Sequence, residues 1–339
     1  MIRLLSTAVP AVVAALSTLL LTACGPSEPA GATAPDGSKL TAVRFQTDWY
    51  PQAEHGGFYQ AKASGLFAEA GLDVTLLAGG PGPTSSQKLV AGAADISMGR
   101  SDDLIQQISQ GLPFVIVGVF MQHDPQALLL HASNPIESFE ELDGKTIMAV
   151  PGSNWINYLK NRFQIDFQII PTNFGIAQFM SDPGFIQQCF ITNEPYYVAQ
   201  NGANPKTLLI SATGFDPYRV IYTTRRYLRD HPDTVRKFVE ASVQGWRDYL
   251  VGDASAANQL ILTANSQMTA DFIAYSIESM RDNLLISGDP AAGERYGLLE
   301  PARLQAQIDA MMEIGLLEQA VTPAAVADFD MASTLPVEH

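Results

Sequence analysis

The stretch 40–77 constrains the fold more than any other part of the chain, because it sets a strand, a turn, a helix and a second strand in succession. Residues 40–49 (LTAVRFQTDW) mix β-branched and aromatic side chains and stop ahead of Pro51, which has no backbone donor to give a sheet. Gly56 and Gly57 then allow a close turn, and Phe58, Ala61, Leu66 and Phe67 recur at the spacing of an amphipathic helix. Gly71 predicts the stop of that helix before a short apolar strand over 72–77. Strand, helix, strand in this order implies a parallel pair joined by a right-handed crossover. In such sheets ligands sit beyond the carboxyl ends of the strands, which is where Asp48, Trp49, Tyr50 and His55 fall.

The pattern recurs along the chain. Residues 95–99 read as a buried strand with Ser101 at its carboxyl end, followed by a helix carrying Leu104, Ile105 and Ile108 on one face. The run PFVIVGVF (113–120) is apolar throughout, as strands covered on both faces are. Residues 127–131 form a further strand, broken at Asn134-Pro135. A second set then begins: a strand over 145–150, a Pro151-Gly152 turn into a helix through Asn154 and Trp155, and strands over 167–170, 188–192, 207–211 and 218–223. Beyond 224 the pattern is helical, with Val235, Phe238, Val239, Val243 and Trp246 on one stripe. The expected fold is therefore α/β with two lobes, each a mostly parallel sheet with flanking helices and a ligand cleft between them. Lobe 1 takes residues 40–130 and 223–339 and lobe 2 takes 131–222, the two crossings making a hinge of the kind that closes around ligands.

Ahead of these lobes stands a leader. Residues 1–23 combine Arg3 near the start with an apolar core too short to span a bilayer comfortably, and end in small residues before Cys24, as a secretory signal does. Residues 25–38 (GPSEPAGATAPDGS) have no apolar periodicity, so 24–39 reads as a flexible tether. The formal net charge is −15, and loss of Arg3 with the leader makes it more negative, which argues against a nucleic acid partner. The five histidines and two cysteines form no cluster at metal-ligand spacing, so neither a metal nor a cofactor is expected.

Leu21-Thr22-Ala23-Cys24 resembles the bacterial lipobox, which implies a diacylglyceryl group on Cys24 and a membrane tether on the extracytoplasmic face of the cell envelope. FQTDWYPQAEHGGFYQAKASGLFAEAGLDVTLLAGG, followed by KLVAGAADISMG, ELDGKTIMAVPGSN and ITNEP, resembles the NMT1/THI5-like (SsuA/THI5-like) substrate-binding proteins of ABC importers over most of residues 40–250. That resemblance implies a periplasmic binding protein fold of type II-like form, an ABC permease as partner, a monomer, and a small organic ligand such as a thiamine pyrimidine precursor. Riboflavin or an alkylsulfonate are alternatives within the group, with Arg100 the main candidate for an anion. Related pyrimidine synthases are enzymes with a chain histidine and a cysteine-rich iron site; no histidine lies between Ser97 and Gln107 and no cysteine run occurs, so no enzyme is expected.

The candidate ligand-binding residues are Asp48, Trp49, Tyr50, His55, Ser101, Asn154, Trp155, Glu194, Tyr196 and Tyr197. Trp49 either stacks on a flat ring or packs in the core; Asp48 either accepts from ring NH groups or caps its own turn. His55 is a hydrogen-bonder of ligand or of structure. By the resemblance, Glu194 is the acidic residue of the second lobe, which either meets an aminopyrimidine-like edge or pairs with a hinge residue such as Arg219. Tyr196 and Tyr197 offer an opposing stacking face, Asn154 and Trp155 a helix-start group in which core packing is the expected fate of Trp155.

Overall fold

The computed structural model describes residues 39–80 and 84–332. The leader, Cys24 and the tether to residue 38 lie outside the described residues. Among the described residues no helix is long and apolar enough to cross a membrane.

Among the described residues, ten strands divide between two five-stranded sheets. They are β1 (Thr41–Gln46), β2 (Leu72–Leu77), β3 (Ile96–Arg100), β4 (Phe114–Met121), β5 (Gln126–His131), β6 (Thr146–Ala149), β7 (Gln168–Pro171), β8 (Ile186–Phe190), β9 (Pro205–Leu209) and β10 (Arg219–Thr224). The first sheet has the order β2-β1-β3-β10-β4 and the second β7-β6-β8-β5-β9, the same pattern twice. In each, β1 or β6 pairs in parallel with its two neighbours, and one strand, β10 or β5, runs antiparallel to both of its own. That antiparallel strand is the first after the chain has crossed from the other lobe, so it enters its sheet from the side the other strands leave.

The lobe boundaries therefore move from the expected 130 and 222. β5 belongs to the second sheet, which puts the first crossing in residues 122–125; β10 belongs to the first, which puts the return ahead of Arg219. An apolar run such as 127–131 is buried in either sheet, so its periodicity carries no mark of which lobe receives it.

β4 is buried over its full length because helices cover both faces of its sheet. Val115 and Val117 join Phe45, Phe58, Phe238 and Trp246 on one side, while Phe114, Ile116 and Val119 join Leu104, Leu304 and Ile308 on the other. The second lobe has its own core around Leu128, Leu130, Ile147, Trp155, Leu159 and Phe167.

Two local readings change. β1 ends at Gln46, short of Trp49, because the Thr47 hydroxyl donates to the Trp49 carbonyl at 2.9 Å and turns the chain. Gly56 and Gly57 do not form the turn itself but open the helix Gly56–Ala63, where a Cβ would strike Tyr249 and Trp246 of the helix Pro232–Val251. Their role is to let two helices approach closely.

Candidate functional site

A cleft of about 690 Å³ lies between the lobes. Its walls come from the edge where the parallel strands end: Asp48 and Trp49 after β1, Arg100 at the end of β3, Val150 and Ser153 after β6, Thr172 and Phe174 after β7, and Asn193 and Glu194 after β8. Because β5 and β10 run the other way, it is their first residues, Gln126 and Arg219, that reach the same cleft.

The floor is a lattice of opposed charges. The Arg219 guanidinium donates to Asp48 Oδ2 at 2.8 Å, and His55 Nε2 lies 3.0 Å from Asp48 Oδ1. Burial acts to raise the Asp48 pKa, but Arg219 and His55 outweigh it and hold the carboxyl below its ordinary value. Arg100 donates to both oxygens of Asp102, at 3.1 and 3.2 Å, and to the Gln126 side-chain carbonyl. Asp124 Oδ2 stands between the two guanidiniums, 3.6 Å from Arg100 and 3.7 Å from Arg219. Burial raises the Asp124 pKa and the two arginines lower it in part. Both cleft arginines are thus already matched by carboxylates.

Two further carboxyl groups line the walls. Glu54 accepts from the Gln52 amide at 2.7 Å and from the Thr192 hydroxyl of the opposite lobe, and burial raises its pKa. Glu194 accepts from the Phe190 amide at 2.8 Å, and burial pushes its pKa up to about 7. At neutral pH the Glu194 carboxyl is populated both as acceptor and as donor. Amide side chains complete the polar lining: Gln52, Gln126, Gln188, Asn193 and Asn201. Trp49, Phe174, Phe190 and Tyr197 give the apolar lining its aromatic part, with Val150 and Ile176 beside them. Many reversible hydrogen-bonding groups around aromatic faces suit a flat polar ring.

Of the ten sequence candidates, Asp48, Trp49, Glu194 and Tyr197 line the cleft together. The others stand elsewhere. Tyr50 is 47% exposed outside the lining and sets its ring edge against Trp49 at 5.5 Å. His55 is fully buried behind Asp48, which it orients. Ser101 is buried and donates to Gln307 Oε1 at 2.7 Å, away from the cleft. Asn154 joins the lobes by donating to Asp102 and Asp103 at 3.1 and 3.2 Å. Trp155 is fully buried against Phe167 in the second core, and Tyr196 packs with Phe272 and Tyr275. Glu194 does not pair with Arg219, which is held by Asp48. Gln126, Gln188, Arg219 and Phe174 line the cleft and are not among the sequence candidates; the doubled glutamine Gln187-Gln188 inside an otherwise apolar strand is the signal that points to one of them.

Comparison with known proteins fits this geometry. The NMT1/THI5 like family matches residues 52–254. The formylaminopyrimidine-binding protein of Halalkalibacterium halodurans is 34% identical over 116 residues, which is 34% of this chain and only 35% of that protein's length. The riboflavin-binding protein RibY of Chloroflexus aurantiacus is 28% identical over 264 residues, 70% of this chain and 73% of that one. The 4-amino-5-hydroxymethyl-2-methylpyrimidine phosphate synthase THI5 of Saccharomyces cerevisiae is 23% identical across 76% of this chain and 84% of its own. Among solved structures, the periplasmic aliphatic sulphonate binding protein SsuA of Escherichia coli superposes with a TM-score of 0.62 at 16% identity, covering 88% of this chain and 94% of that one, a likeness of fold. With more than half its length matched by the family and the two-lobed architecture in place, the chain belongs to the NMT1/THI5-like family and has the periplasmic binding protein fold.

Proposed function

We propose that the protein is the solute-binding receptor of an ABC importer, capturing a small flat heteroaromatic of the thiamine pyrimidine-precursor type and handing it unchanged to a permease. The observation that carries this reading is the cleft's charge balance. Arg100 and Arg219 are engaged by Asp102, Asp124 and Asp48, and Glu54 and Glu194 add acidic groups to the same walls. An alkylsulfonate would have to displace a carboxylate to find a free cation, whereas a neutral ring with amino and ring-nitrogen edges meets donors and acceptors of both kinds. Cys189 is buried, and burial raises its thiol pKa well above the ordinary value, so this reading gives it no nucleophilic role. On this reading Cys24 carries the lipid that holds the receptor at the extracytoplasmic face. Riboflavin is the second reading, because a cleft of about 690 Å³ has room for a tricyclic ring.

Thermal-shift or native mass spectrometric screening of the mature domain against aminopyrimidines, thiamine, riboflavin and sulfonates tests the assignment. Aminopyrimidines raise the melting temperature on the main reading and riboflavin on the second; a response to sulfonates alone overturns both. Trp49→Ala and Glu194→Gln each weaken binding by more than about tenfold, or about 1.4 kcal/mol, without unfolding the protein. Unchanged affinity in both variants removes these residues from the site.

A further inference from the structure

The loop that follows β7 holds an aromatic side chain where a polar one would be expected. Phe174 is 62% exposed, and its backbone is left-handed at φ +58° although Gly175 stands next to it. A non-glycine residue in that region is strained and persists only where its surroundings hold it. Here they do: the Phe174 amide donates to Thr172 Oγ1 at 3.0 Å, and the Gly175 amide donates to Asn173 Oδ1 at 2.9 Å. These two side-chain turns aim the Phe174 ring across the cleft, where its centroid lies 5.1 Å from that of Trp49 at an interplanar angle of 43°. Trp49 belongs to the first lobe and Phe174 to the second, and both line the cleft. The exposed Tyr50 also packs on the same indole, edge-on at 72° to it.

At 5.1 Å between centroids there is no room for a third ring between the two, since a stacked sandwich needs roughly twice the ~3.5 Å separation of carbon atoms in contact. The Trp49 ring, whose removal is expected to weaken ligand binding, is therefore covered on this side by Phe174. We propose that Phe174 is an aromatic gate on the cleft: its ring parts from Trp49 to admit a flat solute and swings back to cover it, so that the loop 172–176 governs the rates of entry and exit. The strained backbone turns keep the gate loop in one conformation while the ring moves about its side-chain torsions. This rests on the heteroaromatic reading for its occupant but not for its existence.

The first test uses no ligand. Trp155 and Trp246 are fully buried, so acrylamide quenching of the fluorescence of the three tryptophans reports on Trp49. Phe174→Ala raises the quenching constant by about twofold, and Phe174→Leu, which keeps apolar bulk, lies between it and the wild type. The second test follows 2-methyl-4-aminopyrimidine by stopped flow. In Phe174→Ala the association rate rises by about tenfold and the dissociation rate rises at least as much. Unchanged quenching overturns the gate whatever the ligand proves to be. A faster dissociation with unchanged association also overturns it, since that is the behaviour of a fixed stacking wall. If the pyrimidine does not bind at all while the quenching shift is present, the ligand reading fails and the gate stands.

Discussion

Single residues in this cleft are set by what they are paired with, and the pairings are long-range. Asp48, Trp49 and Glu194 were legible because each follows a recognisable strand, but the partner of each was not. Arg219 is 171 positions from the Asp48 it neutralises, and Glu194 turns to the Phe190 amide four residues away instead. The consequence for Glu194 is testable. Its carboxyl has an ordinary value of 4.5 and is raised to about 7 by burial, so the folded protein binds that proton more tightly than the unfolded chain. Stability then falls as pH rises from 4.5 to about 7, with nothing further lost above that. Asp103, raised by burial and by Asp102 to about 7, adds to the same slope. Urea midpoints measured from pH 4.5 to 8 decline in the wild type, and Glu194→Gln flattens part of that decline; equal slopes for the two proteins would place the raised group elsewhere.

At the level of elements, sequence marked where strands, turns and helices occur, and the errors are at their ends. The strand over 40–49 stops early because Thr47 bonds back to Trp49, a side-chain turn that strand propensity does not register. Thr84 caps its helix reciprocally with Gln87, so that cap is satisfied within the helix itself. The Asp48-Trp49 turn is held from outside by Gly79, whose amide donates to the Trp49 carbonyl and to Thr47 Oγ1, both at 3.0 Å. A Cβ on Gly79 would lie 2.5 Å from the Asp48 carbonyl carbon and from the Thr47 carbonyl oxygen, backbone atoms that yield only by moving the turn. Gly79→Ala is expected to destabilise by about 1–3 kcal/mol and to weaken ligand binding beyond what its stability loss explains, as read by calorimetric titration of the folded fraction. A variant with wild-type affinity would show that the turn has slack.

For the whole molecule, the two crossings are tied by a charge network on residues far apart in sequence. His123 in the first crossing lies 2.6 Å from Asp216 in the second and 2.8 Å from Glu294, while Arg303 donates to both carboxylates and to the Gln122 carbonyl. Hydrogen bonding to Asp216 leads the causes that raise the His123 pKa above 6.5, with burial and then Arg303 opposing. A raised histidine contributes stability that is complete below pH 6.5 and is lost as pH rises through its folded value. His123→Gln should therefore cost more at pH 6 than at pH 9 in urea denaturation, and a constant gap would mean the histidine proton contributes nothing. The sequence by itself determined the α/β class, the repeated strand-helix units, the family and the half of the site that follows parallel strands, because periodicity and strand-end chemistry are local. The tertiary structure alone decided which lobe receives β5 and β10, and so brought Gln126 and Arg219 to the cleft from the beginnings of reversed strands. It also set Phe174 against Trp49. Strand direction and inter-lobe contact depend on where a chain returns in space, and no local pattern of side chains encodes that.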